Sequence, residues 1–492
     1  MMGVNRRVLV FFSLCIVCCF SASARAGDAL TPDRVLLLYN SANAESLAVR
    51  DMYIAARPGV REFDLNDATL SPGNISRANY LSKIRTPLLN HLNGTMVEGE
   101  PLAQRIIAIV TTRGLPARIN GTGEFTITSS FASIESTLTL IQQDLEIIEP
   151  NGQARFAGPI DNPYHRVFNT PASTYSRTAI TTPRAFTPFS GAWIVSGLTP
   201  GDMYLVTRLD AAPMGDTTAL QNIQALITRS LWLTVTPCKT QALFDEWACA
   251  QQLDDDGFGA IVPALDDFSR TADLLEGEGY IVTHDETFAF ITGDDLVDQQ
   301  SPLIMLGTYG ENHNLNLGDG PCGENPPGTG TYLETYTNLH PGAVFVSYES
   351  FNGNSIINGM RRGGQGQALD FIALGGSFTI AHVAEPFTFT VADLEMIAAN
   401  MLEHDLTFAE AAWTATPVLV WQNTPIGDPL ARFNVAGRIT GDLTGNGVVG
   451  AQDLGILLGL WGTNDCLADL NGSGTVGASD LAILLGSWGA PN

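Results

Sequence analysis

The chain has 492 residues, of which 51 are acidic and 25 basic, so its formal net charge at pH 7 is −26. This acidity speaks against nucleic acid or an anionic membrane as a partner, because the phosphate groups of both would repel the protein. The acidity is compatible with an extracellular protein in a calcium-containing environment. The length exceeds what one hydrophobic core usually supports and predicts a large region plus a smaller module.

The N-terminus is typical of a secretory signal peptide. Arg6 and Arg7 precede an apolar run from Val8 to Phe20, and Ala24-Arg25-Ala26 supplies a small-residue cleavage site before Gly27. The run is too short for a membrane-spanning helix, and the sequence has no second long apolar run. We therefore predict cleavage after residue 26 and a protein that is secreted or associated with the cell surface. Cleavage leaves 22 basic and 51 acidic residues and a net charge of −29.

Four cysteines remain after the signal peptide, and they lie at positions 238, 249, 322 and 466. Export permits disulfide formation. Cys238 and Cys249 are close in an irregular stretch, so we predict that they pair. The cysteines lack the spacing of a metal site, and no pair of histidines has a spacing suited to zinc.

Residues 27–435 alternate between two apolar patterns. Continuous β-branched runs, typical of strands buried on both faces, occur at Arg34–Tyr39, Arg105–Thr111, Met203–Thr207, Leu303–Leu306, Ala343–Ser347 and Phe378–Ala381. Helical spacing occurs at Ala44–Arg57, Arg77–Leu92, Thr217–Leu231 and Val391–Glu403. The alternation predicts an α/β fold with a mostly parallel sheet and helices on both faces. Gly152–Pro200 and Gly310–Gly330 are predicted to be long surface loops.

Polar residues follow several of these predicted strands. Ligands of open parallel sheets gather beyond the carboxyl ends of the strands, so these residues are candidates for a binding site. Two arginines can hold an anionic group, or they can be structural partners of the nearby carboxylates. The candidate ligand-binding residues are Arg113, Arg208, Asp210 and Glu385.

The last fifty residues contain one twelve-residue pattern twice, with starts 27 residues apart. Oxygen side chains occupy loop positions 1, 3, 5 and 12, and glycine occupies position 6. Alternate residues of a tight loop point inward, so this spacing suits a hard divalent cation. With the backbone carbonyl at position 7, the predicted ligands of two Ca2+ ions are Asp442, Thr444, Asn446, Val448 and Asp453 in the first loop and Asp469, Asn471, Ser473, Thr475 and Asp480 in the second.

An apolar stripe at helical spacing follows each loop. The stripes are Leu454, Leu457, Leu458 and Trp461, then Leu481, Leu484, Leu485 and Trp488. We predict a small all-α module over residues 436–492, in which each calcium loop leads into one helix. Because each loop offers only two carboxylates, calcium should bind more weakly than in an acid-rich loop. The alternative is a pair of turns that cap helices without metal.

This duplicated module resembles a dockerin, the calcium-dependent docking domain of secreted bacterial proteins, often attached to polysaccharide-degrading enzymes. The match covers residues 440–489, and dockerins typically have aspartate rather than glutamate at position 12. The departures are Thr444 at position 3 of the first loop and Asn446 and Ser473 at position 5. The resemblance implies a cohesin-like or cell-surface protein as partner, read through positions 10 and 11, which are Ala451 and Gln452, then Ala478 and Ser479.

Three phrases of the body resemble the core of gingipain-type, caspase-like peptidases. They are Leu-Gly-Thr-Tyr-Gly at 306–310, Val-Phe-Val-Ser-Tyr-Glu-Ser-Phe-Asn-Gly at 344–353 and Trp-Gln-Asn-Thr-Pro-Ile-Gly-Asp-Pro-Leu at 421–430. Residues 28–435 also look like an uncharacterised family of secreted bacterial proteins on that plan, through 35–40, 112–116, 207–210, 385–386 and the closing Gly-Asp-Pro.

The peptidase resemblance implies a histidine after one strand and a cysteine nucleophile after the next. Those positions hold Tyr309 and Ser350 here, so the required pair is absent from the matching positions. A serine hydroxyl needs a base to become a nucleophile, and His313 and His382 are the nearest candidates. Both histidines can equally be structural.

Three functions stay open at this point. The first is a secreted binding or scaffold protein that carries a calcium-dependent docking module and a body without the catalytic pair. The second is a serine hydrolase or peptidase that acts through Ser350. The third is a polysaccharide-associated enzyme or a carbohydrate binder, because dockerins are often attached to polysaccharide-degrading enzymes. The body, however, has no close pair of carboxylates on its predicted strand ends.

Overall fold

The computed structural model describes residues 30–120, 131–148, 154–156, 158–165, 198–246, 267–287, 290–296, 298–310, 330–357, 359, 364–387 and 390–489. The predicted signal peptide, most of the loop at 152–200 and nearly all of the loop at 310–330 lie outside these residues. In the described part of the chain, no helix is long and apolar enough to cross a membrane.

One ten-stranded sheet organises the body, as the α/β prediction requires. Its strands are β1 Val35–Tyr39, β2 Arg61–Asp64, β3 Ala108–Thr112, β4 Leu205–Leu209, β5 Gln241–Asp245, β6 Ile281–Asp285, β7 Leu303–Thr308, β8 Leu339–Ser347, β9 Phe378–His382 and β10 Asn423–Ile426. Their spatial order is β6-β5-β7-β8-β9-β10-β4-β3-β1-β2.

All neighbouring strands of this sheet pair parallel except β9 and β10, which pair antiparallel. Every residue of β3 and β4 is buried, whereas the two strands at the ends of the order, β2 and β6, are half-buried throughout. Burial of β3 and β4 on both faces accounts for their predominantly apolar sequences, which the half-buried end strands lack.

Helices cover the sheet and begin at recognisable caps. Asn43 accepts a hydrogen bond from the backbone N–H of Ser46 at 3.0 Å, and Thr218 and Gln221 form a capping box. The helices of the body are α1 Ala44–Ala56, α2 Arg77–Tyr80, α3 Thr86–Gly94, α4 Leu102–Arg105, α5 Ile134–Leu138, α6 Ala219–Arg229, α7 Asp267–Gly277, α8 Ala368–Leu374, α9 Leu394–Ala398 and α10 Phe408–Ala415.

Two of the predicted helices are interrupted by π-helical turns. Leu81–Arg85 separates α2 from α3, and Ala399–Glu403 follows α9. A π turn accommodates an extra residue without ending the helical path, so the apolar spacing continues across it. Shorter strands outside the main sheet are Gly73–Ser76, Met96–Val97, Glu100–Pro101, Pro116–Asn120, Phe131–Ser133, Glu146–Ile148, Ala154–Phe156, Ile160–Asp161, Leu233–Val235, Val418–Leu419 and Phe433–Val435.

The tail has a hydrophobic cluster of its own around two helices, α11 Ala451–Gly459 and α12 Ala478–Gly486. Its buried members are Leu443, Val449, Leu457, Ala468, Val476 and Leu484. Backbone hydrogen bonds link each loop to the segment after the other loop's helix, from Gly489 N–H to the Val449 carbonyl and from Gly462 N–H to the Val476 carbonyl, each at 2.9 Å.

The predicted Cys238–Cys249 disulfide is wrong. Cys238 is bonded to Cys466, with an S–S distance of 2.08 Å and a Cα–Cα distance of 6.3 Å. Strand Leu233–Val235 pairs with Phe433–Val435, which leads directly into the tail and brings Cys238 beside it. Lys239 Nζ and Asp465 Oδ2 lie 2.5 Å apart next to the disulfide. The pairing was hidden in the sequence because the partners are 228 residues apart.

We predict that replacing both Cys238 and Cys466 with serine destabilises the tail by roughly 2–4 kcal/mol, because the cross-link restricts the unfolded chain. Tail unfolding should be followed by denaturant-dependent proteolysis with fragment masses. Lys239→Ala is the control, since it removes only the neighbouring ion pair and should change stability by about 1 kcal/mol or less. Equal protection of the tail in the double variant and the unaltered protein would contradict a structural role for the bond.

Candidate functional site

The two tail loops place their first and last aspartates around a common point. In the first loop, Thr444 Oγ1 lies 3.0 Å from Asp442 Oδ1 and 2.9 Å from Asp453 Oδ1. Backbone N–H groups orient the carboxylates: Asn446 and Gly447 donate to Asp442, and Thr444 and Gly450 donate to Asp453. Three side-chain oxygens at positions 1, 3 and 12 thus converge.

The second loop repeats this arrangement. Ser473 and Gly474 donate backbone N–H groups to Asp469, and Asn471 and Gly477 donate theirs to Asp480. Ser473 Oγ lies 3.4 Å from Asp469 Oδ1. Burial alone would raise the pKa of Asp480, but the N–H groups of Gly477 and Asn471 hold this pKa below its usual value. The carboxylate is therefore ionised and available to a cation at neutral pH.

The chemistry of these donors fits Ca2+. All side-chain donors at positions 1, 3, 5 and 12 are oxygens, which a hard cation prefers. At position 7, Val448 is half-exposed and the Thr475 carbonyl accepts from Ser473 Oγ at 3.2 Å. The same backbone N–H pattern also caps the helices, so helix capping and cation binding are both compatible with these contacts.

The apolar stripe behind each loop divides between the core and solvent. Leu457 and Leu484 are fully buried in the tail cluster. Leu458 and Trp461 of the first copy and Leu485 and Trp488 of the second remain 46–52% exposed. We call these four residues the tail apolar patch. Its members recur at equivalent positions of the two copies.

In the body, Arg208 is completely buried and bound on all sides. Its Nε donates to Asp210 Oδ2 at 3.0 Å, and its Nη1 donates to Glu135 Oε1 at 3.1 Å. Its Nη2 donates to the Leu115 carbonyl at 2.9 Å. Burial alone would lower the pKa of Arg208, but the two carboxylates keep this pKa above its usual value. This guanidinium is occupied by the protein itself.

Arg113 shares the carboxylate of Asp210. Its Nη1 donates to Asp210 Oδ1 at 2.9 Å and to the Ala211 carbonyl at 3.1 Å, and its Nε lies 3.0 Å from Glu45 Oε1. About a quarter of its side chain is exposed. Of the two arginines, Arg113 alone therefore combines solvent access with charge, and it is already paired with two carboxylates.

A cavity of about 280 Å³ adjoins these side chains. It is lined by Pro72, Arg113, Gly114, Arg208, Asp210, Ser355, Ile356 and Gly359. The structure thus brings three of the four predicted ligand-binding residues together. Glu385 is half-buried after β9 and is not among the described residues that line the cavity.

His382 is one of the two histidines considered as a base for Ser350, and no hydrogen bond joins the two side chains in the described part of the chain. The hydroxyl of Ser350 accepts a hydrogen bond from Gln365 Nε2 at 3.1 Å. His382 is completely buried, its Nδ1 lies 2.9 Å from the Glu349 carbonyl, and burial lowers its pKa to about 4. The imidazole is directed at the backbone beside Ser350, and His313 lies outside the described residues.

The position that matches the peptidase histidine is part of the core. Tyr309 is 2% exposed and packs edge-on against Phe290, with 5.5 Å between ring centroids. Burial raises the pKa of its phenol well above the usual value. Beside it, Gly310 has φ +92°, and a Cβ there would come within 2.0 Å of Glu349 Cγ. Glycine is needed at this turn because the buried carboxylate occupies the space.

The Glu349 carboxylate is held by hydrogen bonds within the protein. Its Oε2 accepts from the hydroxyls of Tyr332 and Ser347, each at 2.8 Å, and its Oε1 accepts from the Gly366 N–H at 3.0 Å. These three hydrogen bonds use both oxygens of the carboxylate. The carboxyl ends of β7 and β8 are thus filled by a packed polar network around Glu349.

Comparison with known proteins gives only a distant likeness. No protein-family model matches the chain, and no curated protein matches it. Among solved structures, the Arg-specific cysteine proteinase gingipain R is 12% identical, with a TM-score of 0.39 over 82% of this chain and 78% of that one. The complex of the pro- and mature domains of Porphyromonas gingivalis RgpB is 11% identical, with a TM-score of 0.38 over 81% and 79%.

A third structure, described as a protease, is 9% identical, with a TM-score of 0.39 over 82% of this chain and 79% of that chain. At these scores the likeness carries no argument about activity. The α/β class with a mostly parallel sheet follows from the strand pairings themselves.

The most consequential partner missed by the sequence analysis is Glu135. This residue of α5 is fully buried, contacts Arg208 and accepts from Thr111 Oγ1 at 2.7 Å. It was overlooked because α5 has only five residues and a short helix leaves no clear apolar period. A second missed contact joins Arg57 and Asp428, 2.7 Å apart and 371 residues separated in sequence.

We predict that Arg208→Met destabilises the protein by about 3–5 kcal/mol, because it leaves the buried carboxylates of Glu135 and Asp210 without their counter-charge. Denaturant unfolding followed by circular dichroism measures the change. Arg105→Met is the matched control: it removes a pair with the 75%-exposed Glu98 and should cost about 1 kcal/mol or less. A loss of stability no larger than that of the control would show that the buried contacts of Arg208 contribute no more than an exposed ion pair.

Proposed function

We propose that the protein is a secreted calcium-binding docking protein, whose tail binds a cohesin-like partner and whose α/β body acts in binding rather than as a cysteine peptidase. One observation carries the proposal. In both tail loops, backbone N–H groups four to five residues on hold the first aspartate, and N–H groups at positions 3 and 9 hold the last.

The repetition supports a cation site over simple helix caps. A cap needs one side-chain oxygen at the helix N-terminus, which Asp453 and Asp480 supply. It does not need a second carboxylate eleven residues earlier, held toward the same point. Two carboxylates brought together repel each other, and a divalent cation between them removes that cost.

The tail apolar patch supports the docking role. Its two tryptophans and two leucines are exposed although each copy has a buried leucine immediately beside them. Aromatic residues are enriched at protein interfaces, where they supply large contact areas. Leu458 and Leu485 lie on the helices that follow the loops, and Trp461 and Trp488 come two residues after those helices end. Calcium and docking are therefore coupled in this proposal.

For the body, a binding role fits the contacts around Ser350. The hydroxyl accepts from an amide, and the adjacent imidazole is buried with its Nδ1 directed at a backbone carbonyl. A serine nucleophile needs a base at its hydroxyl. In this proposal the body functions outside the cell. Any link with polysaccharide degradation would come through the docking partner and not through a reaction catalysed by the body.

We predict that the full chain binds two Ca2+ ions, measured by isothermal titration calorimetry after chelator treatment. Asp480→Asn should reduce the stoichiometry to one, because position 12 loses a charged ligand. Asp465→Asn is the matched control, since that aspartate lies in the same tail but pairs with Lys239 and belongs to neither loop. Absence of calcium heat in the unaltered protein would refute the calcium part of the proposal.

We also predict that Trp461→Ala with Trp488→Ala weakens calcium-dependent binding to a panel of purified cohesins while both calcium ions are still bound. Truncation of interface tryptophans typically costs 2 kcal/mol or more, so the affinity should fall by about thirtyfold or more. Trp232→Ala, on the body and 83% exposed, is the control and should leave binding unchanged. If no cohesin binds the unaltered chain in the presence of calcium, the proposed partner is wrong. The proposed calcium sites are not refuted by that result.

A further inference from the structure

The carboxyl ends of β5 and β6 carry three metal-ligating side chains outside the sites described above. They belong to Glu246, His284 and Glu286, and one donor atom of each lies within 4.8 Å of the others. His284 Nε2 and Glu246 Oε1 are in direct contact.

The strand geometry explains why these three side chains converge. β5 and β6 pair parallel with Phe244 opposite His284, and the pairing continues through the 2.8 Å hydrogen bond from Glu246 N–H to the Asp285 carbonyl. Side chains two residues apart share a face of the strand, so His284 and Glu286 point the same way. Glu246 follows the neighbouring strand in register with Glu286 and lies on that face too.

Burial and charge favour a cation at this place. The Glu246 side chain is 2% exposed and that of His284 is 20% exposed, whereas Glu286 is exposed. A buried carboxylate is costly unless it is paired or coordinates a metal.

We propose that Glu246, His284 and Glu286 form a site for a transition-metal dication of the zinc type. Imidazole nitrogen and carboxylate oxygen are both zinc ligands, at about 2.0–2.2 Å from the metal. The three donor atoms lie within 4.8 Å of one another, close to the spacing of roughly 3–4 Å between such ligands. The imidazole disfavours calcium, which takes oxygen ligands.

A hydrogen-bonded His–Glu pair would by itself account for two of the three residues. It does not account for Glu286, because a second carboxylate within 4.8 Å of the first adds repulsion. A dication neutralises both carboxylates and replaces the proton shared by the pair. Three protein ligands also leave a fourth position open on the exposed side, as in zinc sites that retain water.

The test is equilibrium dialysis of the full chain against Zn2+ with millimolar Ca2+ present, so that the tail loops are occupied by the hard cation. Elemental analysis then gives the zinc content. We expect one zinc per chain that His284→Ala abolishes and that Glu286→Gln weakens at least tenfold. Because Glu286 is exposed, its variant should keep the fold, which circular dichroism checks.

His404→Ala is the matched control. His404 Nε2 lies 3.7 Å from Glu403 Oε2 and is similarly half-buried, but this pair is not part of a three-donor cluster in the described chain. Its loss should leave zinc binding unchanged. The proposal is overturned if the unaltered protein binds no zinc, or if folded His284→Ala and Glu286→Gln proteins both bind it with unaltered affinity.

Discussion

The buried guanidinium of Arg208 is the interaction on which the body depends. It lies on β4, in the middle of the sheet, and holds the loop after β3 through the Leu115 carbonyl and α5 through Glu135. Through Asp210 it also fixes Arg113 at the cavity. A guanidinium with no solvent is tolerable only when its donors are matched, and here two carboxylates and backbone carbonyls match them. The position of this end of the sheet is therefore set by charge pairing as well as by apolar packing.

Hydrogen bonding of buried polar groups also organises the end of the sheet at β7 and β8. Glu349 uses both oxygens on hydroxyl and amide donors, and Tyr309 is buried in the core. A buried His382 with a pKa near 4 is neutral at pH 7, and its Nδ1 is committed to a backbone carbonyl. The hydrogen bonds to Glu349 stabilise this end of the sheet, because a buried carboxylate without partners would be costly.

Much of the architecture is predictable because strands that are buried on both faces have continuous apolar sequences. Strands such as Val35–Tyr39 and Leu303–Thr308 are continuous apolar runs, and the loop spacing at Asp442 and Asp469 survives as a contiguous motif. Four strands were missed. The end strands β2 and β6 are half-buried, which permits polar residues in them, and β5 and β10 carry polar residues although they are buried. The Cys238–Cys466 bond and the Glu135–Arg208 pair could not be found, since only the folded topology brings such distant positions together.

The zinc cluster was invisible for a related reason. A search for paired histidines finds sites built from one helix or one loop, whereas Glu246 and His284 come from two strands whose adjacency is a property of the sheet. Ligand type then separates the two kinds of cation site that we propose. The tail loops present oxygens held by backbone N–H groups, which suit a cation that tolerates long, flexible coordination. The β5–β6 cluster presents an imidazole and short strand-borne carboxylates, which favour a smaller, more polarising ion. An acidic protein can thus hold different dications at different places without selectivity arising from net charge, because charge attracts every dication and only the donor atoms discriminate among them.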